Sequence, residues 1–218
     1  MRFKTGVILA FVLRTAGAEV ITSTFGPADA FVTIGGYQVG GGAITGRAEE
    51  LAVAFTPEFD AALTQIRVAV LSTSLTVGDR DLIVDLSEGP VPDAPLETFA
   101  TTVLDGDARI YTFNSALHPM LTAGQTYWIV LTSNDLVDNF FGWNTSETWR
   151  YSTMAERTAR SSQWQLFYDA PPAFDVSGRP SAIATVPEPA TMLGVGLALL
   201  LVGLRRRRTP EMLRRKER

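Results

Sequence analysis

Residues able to do chemistry are scarce in this chain of 218 residues, which holds one histidine, His118, and no cysteine. A Ser-His-Asp or Cys-His arrangement, or a zinc site, would have to be assembled around that one imidazole, which stands beside Pro119 in a segment that reads as loop. Paired carboxylates could hydrolyse a glycoside. With twenty-one Asp and Glu between Glu19 and Ala190, however, pairs at a suitable separation arise by chance, and no residue is singled out as a general acid. Gly35-Gly36 and Gly40-Gly41-Gly42 lack the Lys-Ser/Thr and the strand-to-helix context of a phosphate cradle and read as flexible turns. Two binding chemistries remain. Trp143, Trp149, Tyr151, Trp164 and Tyr168 fall within one third of the chain, where flat rings beside Asn144 could stack on sugar faces. Trp149 and Tyr151, next to Arg150 in a polar stretch, are the better placed for exposure; core packing is the competing role for such rings. Asp79, Asp81, Asp105 and Asp107 could present oxygens to calcium from loops, but they form no calcium-loop consensus, and solvated turn acids are the competing reading. No other cofactor is expected.

The elements that must position these groups show a period of two. Ile66, Val68 and Val70 alternate with Gln65, Arg67 and Ala69; Leu82, Val84 and Leu86 alternate with Asp81, Ile83 and Asp85; Tyr111 and Phe113 flank Thr112. Further strands are expected at Leu51 to Phe55, Leu96 to Thr101, Thr126 to Thr132, Phe140 to Trp143, Gln163 to Tyr168 and Ala173 to Val176. Turn residues separate them at Thr76-Val77-Gly78-Asp79, Asp105-Gly106-Asp107 and Ser177-Gly178. Around nine strands without a sustained helical pattern between the two ends predict an all-β, antiparallel sandwich, with a jelly roll preferred to an immunoglobulin-like topology. Leu121 to Leu131 reads as a corner running into a central strand. Gly124 is free to take a positive φ there, and Tyr127 is placed to turn its hydroxyl back onto the corner's backbone.

Composition sets the outer bounds. An apolar fraction of 46%, a charged fraction of 19%, 12 prolines, 18 glycines and no cysteine exclude collagen, a charged disordered tail and a disulfide-stapled miniprotein. The net charge of −4 conceals a segregation of sign. Residues 1–18 carry three basic residues and no acid, and residues 205–218 carry eight basic residues against two acids. Glu19 to Ala190 has eight basic and twenty-one acidic residues, a net of −13, and no lysine. A body so acidic repels phosphate backbones, which argues against nucleic acid as a partner. Its 172 residues suffice for a core, since a domain of this size buries about 68–70% of its unfolded surface.

Both ends read as targeting segments. Met1-Arg2-Phe3-Lys4, the apolar run Gly6 to Leu13 and the small residues Ala16-Gly17-Ala18 have the form of a secretory signal cleaved after Ala18. Arg14 interrupts that form, although its stem can snorkel, and a buried first strand is the competing reading. At the other end Val186-Pro187-Glu188-Pro189-Ala190 precedes fourteen uncharged residues, Thr191 to Leu204, and then Arg205-Arg206-Arg207-Arg208. The prolines hold an extended, accessible segment. The apolar run partitions into lipid, and the arginines stay on the cytoplasmic side. A helix of that length reaches about 21 Å against a hydrocarbon core of about 30 Å, which suits a transient signal better than a lasting anchor. An ordinary C-terminal anchor is the competing reading.

Proline, glutamate, proline, apolar helix and arginine cluster together resemble the PEP-CTERM sorting signal of Gram-negative bacteria. That resemblance implies export, recognition by a membrane-embedded exosortase through Pro187, Glu188, Pro189 and Arg205 to Arg208, and delivery to the cell surface or extracellular matrix. Thr209 to Arg218 extend beyond the point where such tails usually stop. From Thr24 to Val176 the body also resembles the choice-of-anchor R domain. The likeness rests on Phe25-Gly26, Ala54-Phe55-Thr56-Pro57, the Leu121 to Trp128 corner, Gly142-Trp143-Asn144 and Ala173-Phe174-Asp175-Val176. Pro90 to Leu96 departs from that family in its proline content. Membership implies a surface-exposed β-sandwich and no catalytic residue.

The expected division is a signal peptide at 1–18, a sandwich body at 19–182, a sorting signal at 183–208 (motif 186–190, apolar helix 191–204, arginines 205–208) and a basic cytoplasmic tail at 209–218. The expected partners are signal peptidase and exosortase during export, the inner membrane transiently, and exopolysaccharide or biofilm matrix afterwards, with a noncatalytic body. A secreted polysaccharide-active hydrolase or lyase, or a calcium-dependent carbohydrate-binding module, is the alternative.

Overall fold

The computed structural model describes residues 17–72, 81–102, 106–148, 150–158 and 163–181; the apolar run at 191–204, the arginine cluster, most of the N-terminal segment, Asp79 and Asp105 lie outside them. Among the described residues the chain is all-β. The first strands are β1 (Glu19–Ser23), β2 (Phe31–Gly40), β3 (Glu49–Phe55), β4 (Ala61–Ser72), β5 (Asp81–Glu88) and β6 (Pro95–Thr102). They are followed by β7 (Gly106–Asn114), β8 (Met120–Leu121), β9 (Tyr127–Thr132), β10 (Phe140–Ser146), β11 (Ser152–Thr158), β12 (Gln165–Asp169) and β13 (Phe174–Pro180). One short helix, α1 (Gly42–Thr45), joins β2 to β3. Among these residues no helix is long and apolar enough to cross a membrane.

Every strand pair is antiparallel. The ladder runs β1-β13-β4-β10-β2-β3-β9-β5-β6, with β11 on β3, β12 on β11, and β7 and β8 on β4. Long β4 makes the branch: one edge serves β13 over Ala61 to Val68 and β10 over Val70 to Ser72, while the other serves β8 and β7. Alternation then decides the packing. Val53, Val84 and Ile129 from β3, β5 and β9 share one core with Ile66, Val68, Trp143 and Phe174 from β4, β10 and β13, so the sheet closes over itself in two layers. Each such side chain contributes about 1.5–3 kcal/mol on burial, and with no cysteine in the chain this core replaces covalent staples.

Three polar devices fix the register. Arg67 on β4 stands opposite Asp175 on β13 and forks onto its buried carboxylate through Nε and Nη2, while Nη1 and Nη2 reach Asp29 at 2.8 and 2.9 Å. The guanidinium also lies 5.4 Å over the Phe25 ring, so one side chain ties the segment before β2 to two strands. It holds the Asp29 carboxyl below its ordinary range. Glu97, buried on β6, accepts the Ser115 hydroxyl at 2.6 Å and the backbone N–H groups of Ala116 and Leu117, organising the turn before β8. At the corner, Gly124 has φ +77° and the buried Tyr127 hydroxyl accepts the Thr122 N–H at 2.9 Å, the arrangement expected from the sequence.

The nine expected strands are present, and four more join them: β1, β2, β8 and β11. The glycine pair Gly35-Gly36 lies inside β2 rather than between strands: Gly36 pairs with Asn144 of β10, and Gly35 falls in the register irregularity between Asn144 and Ser146. A Cβ on Gly36 would stand 2.4 Å from the Trp143 carbonyl oxygen, so its glycine serves close strand approach. Gly40 likewise ends β2, and Gly42 opens α1. Ser177-Gly178 is a register shift within β13 rather than a turn, and Gly106 and Asp107 already belong to β7.

Replacing Tyr127 by Phe keeps the ring in the core but strands the Thr122 N–H. It should cost about 0.5–1.5 kcal/mol, read as a lower urea midpoint with an unchanged slope. An unaltered midpoint would mean that the hydroxyl does not hold the corner.

Candidate functional site

The described part of the body has one outer face that is neither core nor plain surface, and strand register builds it. All six residues of β9 are buried. Tyr127, Ile129 and Leu131 point into the core, while Trp128 and Val130 join Ala52 of β3 and Ala155 of β11 in a separate cluster, with Ala54 and Trp164 against it. Pairing sets these residues in cross-strand rows. Ala54, Trp128 and Ser87 make one row, with the Thr153–Tyr168 pair beyond the end of the β11–β3 ladder, and Leu166, Ala155, Ala52, Val130, Asp85 and Thr98 make the next. Small alanines at the centre of large flanking side chains leave a groove.

Its wall is the β5–β6 connection. Gly89 is clamped twice, accepting the Trp128 indole N–H at 2.9 Å and donating to the Thr126 carbonyl at 3.1 Å, so the proline-rich run after it stands beside β9. Two clefts result. One, of about 500 Å3, lies between Pro90, Trp128, Thr153, Tyr151 and Tyr168. Tyr151 and Tyr168 are 63% and 69% exposed and stack on each other, centroids 5.6 Å apart at 21°. The other, of about 550 Å3, lies between Pro92, Pro95, Val130, Asp85, Arg157 and Trp164.

The second cleft carries the charge. Glu50 is buried, accepts the Thr132 hydroxyl at 2.7 Å and pairs with the Arg157 guanidinium, which lies 4.4 Å over the Trp164 ring. Asp85 takes the Thr98 hydroxyl at 2.6 Å. Burial pushes its carboxyl above the ordinary range; the Thr98 bond and Arg157 oppose this, and the Glu50 charge reinforces it. Apart from the clefts, Tyr37 packs against the main core and donates to the Ala170 carbonyl at 2.6 Å, and burial beside Asp169 pushes its phenol up.

The sequence candidates separate on this geometry. Tyr151 lies in the first cleft. Trp143 does not: it is fully buried, donates its indole N–H to the Ala173 carbonyl at 3.1 Å and packs edge-on against Phe174, so it offers no face to a sugar. Asn144 is equally buried and spends its amide on the Val32 and Gly35 carbonyls, tying β10 to β2. Trp149 lies outside the described residues. Of the calcium candidates, Asp81 accepts the Asn134 amide at 3.2 Å, Asp107 is exposed, and Asp79 and Asp105 lie outside the described residues. Among the described residues no group of three His, Asp or Glu could hold a metal ion. His118 is exposed, its Nδ1 2.8 Å from the Leu63 carbonyl oxygen, with its backbone at φ +49°. Sequence reasoning missed Trp128, the alanine floor and the Glu50–Arg157–Asp85 group. The available signal was the small-residue alternation Ala52, Ala54 set against apolar Leu51, Val53, Phe55.

Residues 185–208 match the PEP-CTERM protein-sorting motif. That match spans Pro187, Glu188, Pro189 and the arginine cluster Arg205 to Arg208. A motif of this kind marks a secreted, membrane-anchored precursor that an exosortase processes and sorts to the cell surface. No curated protein matches the chain.

The Asp85 environment makes a signed prediction. Its folded carboxyl binds a proton more tightly than the unfolded one, so its contribution to stability is fully present below the ordinary carboxylate range and is lost as pH rises through the folded value. Asp85→Asn should therefore raise Tm at pH 7, and the difference from wild type should shrink on acidification. A variant less stable at pH 7 would show that Thr98 and Arg157 outweigh the burial of the charge.

Proposed function

We propose that this chain is an exported surface or matrix protein whose C-terminal signal is read by an exosortase and whose β body is noncatalytic and associates with exopolysaccharide. The observation that carries the reading is the sorting motif at 185–208. The body's acidity, with no lysine between Glu19 and Ala190, keeps it soluble outside the membrane and away from anionic backbones. Strand β1 begins at Glu19, the residue that cleavage after Ala18 would leave first, which supports a secretory signal at 1–18. The layered antiparallel body fits a jelly-roll-like domain of the choice-of-anchor R type. The tyrosine corner falls where that resemblance has its Leu121 to Trp128 segment. Signal peptidase and the inner membrane enter as transient partners of the precursor.

Replacing Pro187, Glu188 and Pro189 together by alanine removes the recognition residues and leaves the apolar run and arginines intact. In the native host the variant should accumulate in the inner-membrane fraction with the surface pool lost, while wild type reaches the surface. Equal surface pools, or a cytosolic body for both proteins, would refute sorting through this segment.

A further inference from the structure

We propose that the cleft at Tyr151 and Tyr168 binds a strand of uncharged polysaccharide. The inference rests on the reading of the body as a matrix-associated protein and adds the site and the ligand class. Three features of the cleft converge on that ligand.

The rings are arranged for stacking. Each is more than half exposed, yet each is fixed by the other at 5.6 Å and 21°, so the outer faces meet solvent with their orientation already set. Cross-strand pairing sets Tyr168 beside Thr153, and Tyr151 immediately precedes β11. An aromatic ring held this way has little side-chain entropy left to lose, and its apolar face suits the C–H face of a pyranose. The cleft volume of about 500 Å3 falls in the roughly 300–1,000 Å3 range of small-ligand sites.

The polar lining is hydroxyl rather than charge. Thr56, Thr126, Ser152 and Thr153 line the cleft together with the rings, and among the described residues no acidic or basic side chain does. Hydroxyls both donate and accept, which matches sugar hydroxyls. The cation of the neighbouring cleft, Arg157, is paired with Glu50 and stacked on Trp164. An anionic glycan would meet no counter-charge here and would approach a body of net charge −13 between Glu19 and Ala190.

A proline-rich peptide also lies on aromatic rings and could take hydroxyl donors from this lining, so it forms a separate arm of the test. The indole N–H of Trp128 is committed to Gly89. The hydroxyl rim and the destination of the protein favour the glycan.

The test uses the full-length chain in detergent, titrated with soluble neutral glucan, mannan and galactan, with alginate as an acidic glycan, and with a proline-rich decapeptide. At least one neutral glycan should bind and alginate and the peptide should not. Tyr151→Ala and Tyr168→Ala should each weaken binding about tenfold, the loss of one stacking contact of about 1.4 kcal/mol. Tyr151→Phe and Tyr168→Phe keep the ring and should bind within about twofold of wild type. Circular dichroism of the four variants should match wild type, as both rings are exposed. Absence of binding to every neutral glycan, preference for alginate or the peptide, or alanine variants that bind like wild type would each overturn the proposal. None of these results bears on whether the tail is sorted, which the fractionation experiment reads separately.

Discussion

Strand β9 has no solvent face, and the body is arranged around that constraint. Its inward residues Tyr127, Ile129 and Leu131 belong to the main core, while its outward residues Trp128 and Val130 are buried by a second, smaller cluster. An antiparallel strand commonly leaves one face to water, so burial on both sides requires a cover. The cover is local: Trp164 lies against the same cluster, and the proline-rich connection clamped at Gly89 stands beside it. A slip of one residue would send Trp128 into the core and Tyr127 out of it, and the corner bond to Thr122 opposes that slip. The core and the groove are therefore two consequences of one register.

The charge distribution follows the same economy. The buried carboxylates each have a named partner: Asp175 has Arg67, Glu50 has Arg157 and Glu97 has the turn at Ser115. Such pairs add little net stability, because desolvation offsets attraction, but an unpaired alternative is costly. They act as register pins: Arg67 stands directly across from Asp175, and Arg157 directly across from Glu50. The acids outnumber the bases from Glu19 to Ala190, giving an acidic body between two basic ends. The C-terminal end carries the sorting motif at 185–208.

Much of this was legible in the sequence. Strands β4 and β5 alternate because their outward faces are mostly polar or small, and Tyr127 announced its corner through Gly124 and the apolar run that follows. The PEP motif was legible because its parts lie in order along the chain and need no folded context. Other features were hidden for physical reasons. Strand β2 was masked by Gly35-Gly36, since a glycine needed for close approach to Trp143 looks like a glycine needed for a turn. Trp143 and Tyr151 belong to the same aromatic-rich segment, and only the pairing of β10 with β2 and β4 shows that the first is enclosed. The groove combines residues from six strands and one connection, so its alanine floor had no contiguous signature to find.

Sorting through the tail is the claim on which the rest of the account turns, because only an exported body would expose the groove to extracellular polysaccharide. Intact mass spectrometry of the protein recovered from the surface of its native host tests it most directly. The account predicts a product that begins at Glu19 and ends before the arginine cluster at Arg205 to Arg208. A surface product whose mass includes every residue to Arg218 would contradict it.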